Sequence, residues 1–173
     1  RRSRTEGVCR RLLDRQSLFR RRAPGSGRRY QRVAAKVDTL VIVTAFNEEF
    51  NLSRLERYLA HAHDAGVEPV IILTKKDQSD QVANYVTRAE SLGPLIMVEP
   101  VNALDPESLM SLKAWCKPGQ TIALMGSSGV GKSTLVNRLG AASSDGDIQK
   151  TGRIRAHDSR APHTPSHRHL HSL

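Results

Sequence analysis

The feature that most constrains the fold of this chain is a glycine-rich loop between a predicted strand and a predicted helix. The loop matches the pattern G-x-x-x-x-G-K-[ST] with Gly126, Ser127, Ser128, Gly129, Val130, Gly131, Lys132 and Ser133, followed by Thr134. Glycines let a backbone wind around an anion with its N–H groups pointing inward, and a helix N-terminus adds a favourable dipole. The pattern therefore predicts a strand–loop–helix unit that binds phosphate groups.

The side chains of this loop predict a nucleotide site with magnesium. Lys132 is expected to bridge the β- and γ-phosphates, and the Ser133 hydroxyl to bind Mg²⁺ between those phosphates. The loop by itself does not distinguish adenine from guanine nucleotides.

The rest of the pattern between residues 37 and 140 alternates strands with helices, which is typical of an α/β domain with a parallel sheet. Four apolar runs predict strands at Leu40–Thr44, Val70–Leu73, Leu95–Val98 and Thr121–Met125. Helices are predicted at Leu52–Ala65, at about Ser79–Ser91, at about Pro106–Trp115 and from Lys132 to about Leu139.

A second motif, Thr74, Lys75, Lys76 and Asp77, follows the predicted strand Val70–Leu73 and has the form [NT]-K-x-D. At the carboxyl edge of a parallel sheet, such an Asp can accept two hydrogen bonds from guanine N1–H and its 2-amino group. Adenine lacks that pair of donors and would leave the carboxylate unpaired. The alternative is an ordinary charged turn, but beside a phosphate loop the motif favours guanine.

A weaker signal follows the next predicted strand. Asn102 and Ala103 stand where a backbone N–H could contact guanine O6, although a plain turn explains them equally well.

Charge is unevenly distributed along the 173 residues. Residues 1–36 hold 13 Lys and Arg against two acids, whereas residues 37–173 hold 14 against 15. A strip this basic favours a polyanionic partner, most plausibly RNA, over a merely solvated arm.

No membrane span or secretory signal is recognisable, so a cytosolic protein is expected. Cys9 and Cys116 have no metal spacing and are interpreted as idle thiols.

The order of the motifs suggests a family. The base motif precedes the phosphate loop, and the helical segment contains Phe50-Asn51-Leu52 and Leu55-Glu56-Arg57-Tyr58-Leu59. From about Leu12 to about Leu170 the chain resembles RsgA (YjeQ, EngC), the circularly permuted GTPases of small ribosomal subunit biogenesis. The resemblance implies GTP/GDP and Mg²⁺ as ligands, GTP hydrolysis, and the small subunit with its rRNA as partner.

Compared with that family, residues 1–36 would be a basic remnant of an OB-fold, and residues 37–173 a permuted P-loop GTPase domain without its C-terminal part. The Asp-x-x-Gly motif and the family's zinc domain are not found in the sequence, so no zinc is expected. Without the Asp-x-x-Gly strand, we predict a four-stranded sheet with Thr121–Met125 at its edge.

The switch region also departs from the family pattern of Gly-Arg-His-Thr-Thr-Thr. It reads Ala161-Pro162-His163-Thr164-Pro165-Ser166, and Thr164 is the best match for the threonine that binds Mg²⁺. The two prolines restrict this loop. His157, His163, His167, His169 and His171 could form a metal site, but a plain switch loop is the simpler interpretation.

The sequence therefore predicts a monomeric GTP-binding protein of ribosome assembly, with Lys132, Ser133 and Thr164 as its catalytic residues. Two alternatives remain: a non-hydrolysing nucleotide- or RNA-binding fragment, and an ATP-using P-loop protein in which the base motif is incidental.

Overall fold

The centre of the molecule is the strand predicted from the apolar run after Asp38. In the computed structural model, which describes residues 10–11, 14, 16–22 and 30–140, this strand spans Thr39–Ala45 and every one of its residues is buried. A strand covered on both faces needs apolar side chains at consecutive positions, and this sequence supplies them.

Nine strands and helices are used below, labelled in chain order. They are β1 (Leu18–Arg22), β2 (Tyr30–Ala35), β3 (Thr39–Ala45), α1 (Leu52–Ala65), β4 (Glu68–Thr74), α2 (Val82–Glu90), β5 (Met97–Pro100), β6 (Ile122–Met125) and α3 (Lys132–Gly140). Short 3-10 helices occur at Lys76–Gln78 and Ser111–Ala114.

The sheet has the strand order β5-β4-β3-β6, and all of its pairs are parallel. In the register, Leu40 of β3 lies opposite Ala123 of β6 on one side and opposite Pro69 of β4 on the other. Within the described residues the sheet therefore has the predicted four strands, with the strand that enters the phosphate loop at its edge.

The two faces of the sheet carry separate apolar clusters. Leu40 and Ile42 of β3 pack on the side that holds α1 and α2, through Leu55 and Ala89 among others. The alternate residues of β3 and β4 pack on the opposite side with Leu112 and with Leu135 of α3, together with Val41, Val43, Val70, Ile72 and Val130. The domain therefore has three layers, helix, sheet and helix, as the alternating pattern predicts.

Helix α1 has the predicted bounds, because local signals define both of its ends. The Asn51 side chain accepts a hydrogen bond from the Arg54 N–H at 2.9 Å, which is N-capping geometry. Gly66 ends the helix with a φ of 66°, a left-handed conformation that glycine adopts without strain.

The strands β3, β4 and β6 differ from the predicted bounds by one or two residues at an end, and three other elements differ more. Residues 106–115 form successive turns and the 3-10 helix Ser111–Ala114 rather than one α-helix. Leu109 and Leu112, spaced i and i+3, are both buried, and in 3-10 geometry residues at that spacing lie on one side. Helix α2 begins at Val82 and β5 at Met97, while Leu95, predicted in the strand, is 92% exposed.

Strands β1 and β2, which lie in the basic segment of residues 1–36, form an antiparallel pair. Phe19 of β1 is buried in the same apolar cluster as α1, and the Val37 N–H donates to Ser17 Oγ at 2.7 Å. The pair is therefore fastened to the α/β layers. The described residues do not establish an OB-fold, which remains a prediction. Among all the residues that the structure describes, no helix is long and apolar enough to cross a membrane.

Candidate functional site

The phosphate loop has the backbone that its glycines predict. Gly129 and Gly131 have φ values of 78° and 95°, which L side chains rarely adopt. Gly126 is required for a different reason: a Cβ there would lie 2.2 Å from the Val43 carbonyl oxygen. The loop therefore leaves β6 in backbone contact with β3, where no side chain fits.

Lys132, the first residue of α3, reaches back across this loop. Its Nζ donates to the carbonyl oxygens of Gly126, at 2.9 Å, and of Ser127. Partial burial disfavours the charged ammonium and lowers the pKa of Lys132 from its ordinary value. A half-desolvated cation above a ring of loop backbone is suited to attract phosphate oxygens.

Thr74 connects the two predicted motifs. It ends β4, has no exposed surface, and its Oγ lies 2.6 Å from the Val130 carbonyl oxygen of the phosphate loop. The same oxygen lies 3.1 Å from the Thr44 carbonyl of β3. A hydroxyl donates one hydrogen, and the shorter contact is to Val130. The start of the base motif is thereby held against the phosphate loop, across the intervening strand.

The base motif itself forms a tight turn at the carboxyl edge of the sheet. Lys75 has a φ of 64°, and the 3-10 helix Lys76–Gln78 follows it. Asp77 is exposed on this turn and therefore accessible to a ligand. The Lys76 N–H donates to the Val101 carbonyl at 3.2 Å, which places the loop after β5 beside the motif.

That neighbouring loop is ordered by its own polar side chains. The Asn102 N–H donates to Ser108 Oγ at 2.8 Å, and Asn102 Oδ1 accepts from the Leu104 N–H at 2.9 Å. The Asn102 amide proposed for a base is thus already engaged. Among the described residues, the buried Ala103 has no hydrogen bond on its N–H, so its amide is the better candidate of the pair.

The structure adds two charged residues that the sequence pattern did not suggest. Arg54 of α1 donates from Nη1 to Glu49 Oε2 at 2.9 Å, and the same nitrogen donates to the Ser127 hydroxyl. Arg54 and Ser127 are 73 residues apart in sequence. No local signal could reveal this contact, because it depends on β3 and β6 being neighbours in the sheet.

Of the two residues predicted to bind Mg²⁺, Ser133 lies within the described part of the chain. Ser133, half-buried in the first turn of α3, offers a hydroxyl beside the phosphate loop. The described residues contain no group of three His, Cys, Asp or Glu side chains suited to a metal. A nucleotide-bound Mg²⁺ needs few protein ligands, because phosphates and waters complete its shell, so the Ser133 hydroxyl fits this role. Thr164 and the five C-terminal histidines lie outside the described residues.

A parallel sheet with a glycine-rich loop, a helix N-terminus and a second motif at one carboxyl edge defines a P-loop nucleotide-binding domain. Residues 12–173 match the family model described as RsgA GTPase. The chain belongs to the RsgA GTPase family, and its base motif comes before its phosphate loop.

Similar proteins agree with this assignment. Small ribosomal subunit biogenesis GTPase RsgA 2 of Vibrio parahaemolyticus is 52% identical over 163 residues, covering 94% of this chain and 44% of the relative. RsgA of Mesorhizobium japonicum is 49% identical over 166 residues, covering 96% and 47%. The crystal structure of YjeQ from Thermotoga maritima shares the fold with a TM-score of 0.60, at 24% identity over 75% of this chain and 44% of that one. The chain spans less than half the length of these relatives.

Proposed function

We propose that this chain is the guanine-nucleotide-binding part of a GTPase that acts in late assembly of the small ribosomal subunit. The observation that carries the proposal is the hydrogen bond from Thr74 to the Val130 carbonyl, because it holds the base motif and the phosphate loop together as one site. Family membership and the names of the relatives support the cellular role.

In this proposal Asp77 selects the base. An exposed carboxylate on a fixed turn can accept hydrogen bonds from both guanine N–H donors once the base covers it. Adenine would remove water from the carboxylate without supplying a donor in its place. The aliphatic stem of Lys75 would pack on the base, and the Ala103 amide would donate to guanine O6. The remaining proposed cofactor-binding residues are Lys76 and the loop Gly126–Thr134, and Asn102 would contribute by ordering the loop that carries the Ala103 amide.

The phosphates would lie in the loop, where backbone N–H groups and the Lys132 ammonium neutralise their charge. The Ser133 hydroxyl and Thr164 are the proposed protein ligands of Mg²⁺, which would neutralise charge on the β- and γ-phosphates during GTP hydrolysis. Lys132 would stabilise the same charge as it develops, because its Nζ projects from the helix N-terminus over the loop.

The basic segment, residues 1–36, would contact rRNA of the small subunit. Arg20 and Arg32 lie opposite each other in the β1–β2 pair and are both exposed, an arrangement that favours a polyanion on this surface. We further propose residues 1–36 as the remnant of an OB-fold, residues 37–173 as the GTPase domain, and a monomer in the cytoplasm.

Nucleotide competition tests the proposal. GDP, ATP and xanthosine diphosphate are titrated against a fluorescent GDP analogue bound to the purified chain, and GDP is expected to displace it far better than ATP. Asp77→Asn should weaken GDP and favour the xanthine nucleotide, whereas Asp80→Asn, an exposed carboxylate three residues on, is the matched control and should change nothing. Equal displacement by ATP and GDP would refute guanine selection.

A second candidate function is RNA binding without hydrolysis, which the charge of the basic segment favours. It predicts RNA affinity that falls steeply with salt while no GTP is turned over. Measured phosphate release, with Lys132→Met as the blank, separates it from the proposed GTPase.

A further inference from the structure

Ser127, the second residue of the phosphate loop, is contacted by two cations from different elements. Its carbonyl oxygen accepts from Lys132 Nζ, and its hydroxyl accepts from Arg54 Nη1. Lys132 belongs to the loop motif, whereas Arg54 comes from α1 on the other face of the sheet. The start of the phosphate loop, at Ser127, is therefore held in place by a residue from outside the loop motif as well as by Lys132.

The position of Arg54 is unfavourable for the helix that carries it. A cation in the first turn opposes the helix dipole, and no acidic residue occupies that turn of α1. Helix stability alone would be served better by a neutral side chain there. The Glu49 carboxylate, just before the helix, compensates by pairing with Nη1 at 2.9 Å, and the Asn51 cap fixes the Arg54 backbone.

Glu49 is itself held in place. Its N–H donates to Asn47 Oδ1 at 2.9 Å, and its carbonyl accepts from the Thr44 hydroxyl at 3.3 Å. The guanidinium is thus anchored by the loop between β3 and α1, while about a third of the side chain, 32%, stays exposed. Among the described residues only Nη1 of this guanidinium makes protein hydrogen bonds, so its other donors remain available to a ligand at the loop.

We infer that Arg54 is a positioning residue of the nucleotide site. Through the Ser127 hydroxyl it fixes the opening of the phosphate loop, and its charge adds to that of Lys132 where a nucleoside diphosphate or triphosphate would bind. The inference deepens the proposed function and rests on it, because the ligand is the same nucleotide. A planar guanidinium with several fixed donors suits phosphate oxygens better than an ammonium does.

The test compares affinity for a fluorescent GDP analogue among Arg54→Met, Arg54→Lys and Ser127→Ala, with Arg57→Met as the matched control. Arg57 is exposed on the same helix and is placed one turn further from its start. Arg54→Met should weaken GDP about 10-fold, in the range of one charge-assisted hydrogen bond, and Arg54→Lys should recover part of that loss. Arg57→Met should bind like the wild type.

Two further readouts separate positioning from a general effect on folding. The double variant with Ser127→Ala should bind no more weakly than Arg54→Met alone, because both changes remove the same contact. The loss of affinity should also shrink at high ionic strength, since salt screens a partly exposed charge. Thermal unfolding without nucleotide should be nearly the same for Arg54→Met and Arg57→Met.

Failure of this inference is distinguishable from failure of the proposed function. If the wild type binds GDP but Arg54→Met binds it as tightly as Arg57→Met does, the role of Arg54 is refuted and the GTPase proposal stands. If ATP binds as well as GDP, guanine selection fails, and the same variants measured with ATP still decide the role of Arg54. If the wild type binds no nucleotide, both proposals are overturned.

Discussion

The Thr74 hydroxyl can be removed almost without a change of shape by Thr74→Val. The side chain is fully buried, so a methyl group would replace the hydroxyl in a space with no access to water. The substitution takes away the donor that lies 2.6 Å from the Val130 carbonyl and 3.1 Å from that of Thr44. It therefore breaks the link between the base motif and the phosphate loop while keeping the packing of β4.

The size of the effect follows from that geometry. Losing the hydrogen bond costs about 1 kcal/mol, and leaving the Val130 carbonyl without this donor adds about 1 kcal/mol, so the free energy of unfolding should fall by about 2 kcal/mol. If the two loops also lose their mutual alignment, GDP affinity should fall by about 5- to 30-fold, which corresponds to about 1 to 2 kcal/mol.

Urea unfolding of the nucleotide-free protein gives the first quantity, and titration with a fluorescent GDP analogue gives the second. Thr39→Val is the matched control, because Thr39 is also buried, lies at the opposite end of β3, and has no side-chain hydrogen bond among the described residues. GDP binding by Thr74→Val that is as tight as binding by Thr39→Val would refute this role of the Thr74 hydroxyl. An equal loss of stability in both variants would likewise show that the hydroxyl contact carries no weight.

Three further predictions concern the phosphate loop and its strand. Gly126→Ala should abolish nucleotide binding and strongly destabilise the fold, since its Cβ would collide with the Val43 carbonyl; wild-type unfolding in urea would contradict this. Burial lowers the pKa of Lys132, so just below the ordinary lysine pKa of about 10.4 the folded chain has already lost a proton that the unfolded chain still carries. The free energy of unfolding should therefore rise with pH in that range. Lys132→Met should lack that rise in urea unfolding measured at several pH values, and a parallel rise in both proteins would exclude Lys132 as its source. Amide exchange should be faster in β6 than in β4, because β6 has a strand neighbour on one side only within the described residues; the reverse order would be inconsistent with an exposed edge.

Features encoded by adjacent residues could be predicted from the sequence. The bounds of α1 follow from Asn51 and Gly66, and the backbone of the phosphate loop follows from its glycines. These two features need only local geometry. The position of β6 at the sheet edge could be predicted too, because the family resemblance implied a sheet without its Asp-x-x-Gly strand.

Features that depend on distant residues could not be predicted in the same way. The Arg54–Ser127 contact joins two segments that meet only after the sheet forms. The apolar spacing of residues 106–115 fits either an α-helix or a 3-10 helix. The structure forms the tighter turns there, with Leu109 and Leu112 packed against β3 and β4. The engagement of the Asn102 amide likewise depended on Ser108, six residues further along the loop.

The position of β3 has a consequence for synthesis of the chain. This strand is the first of its sheet to be made, yet it lies between β4 and β6 in space. A ribosome releases the N-terminal part first, so β3, β4 and the base motif can pair while the phosphate loop is still untranslated. The segment proposed to recognise the base is therefore the template on which the segment proposed to bind the phosphates assembles. Acquisition of nucleotide affinity during translation should mark the moment at which β6 joins the sheet.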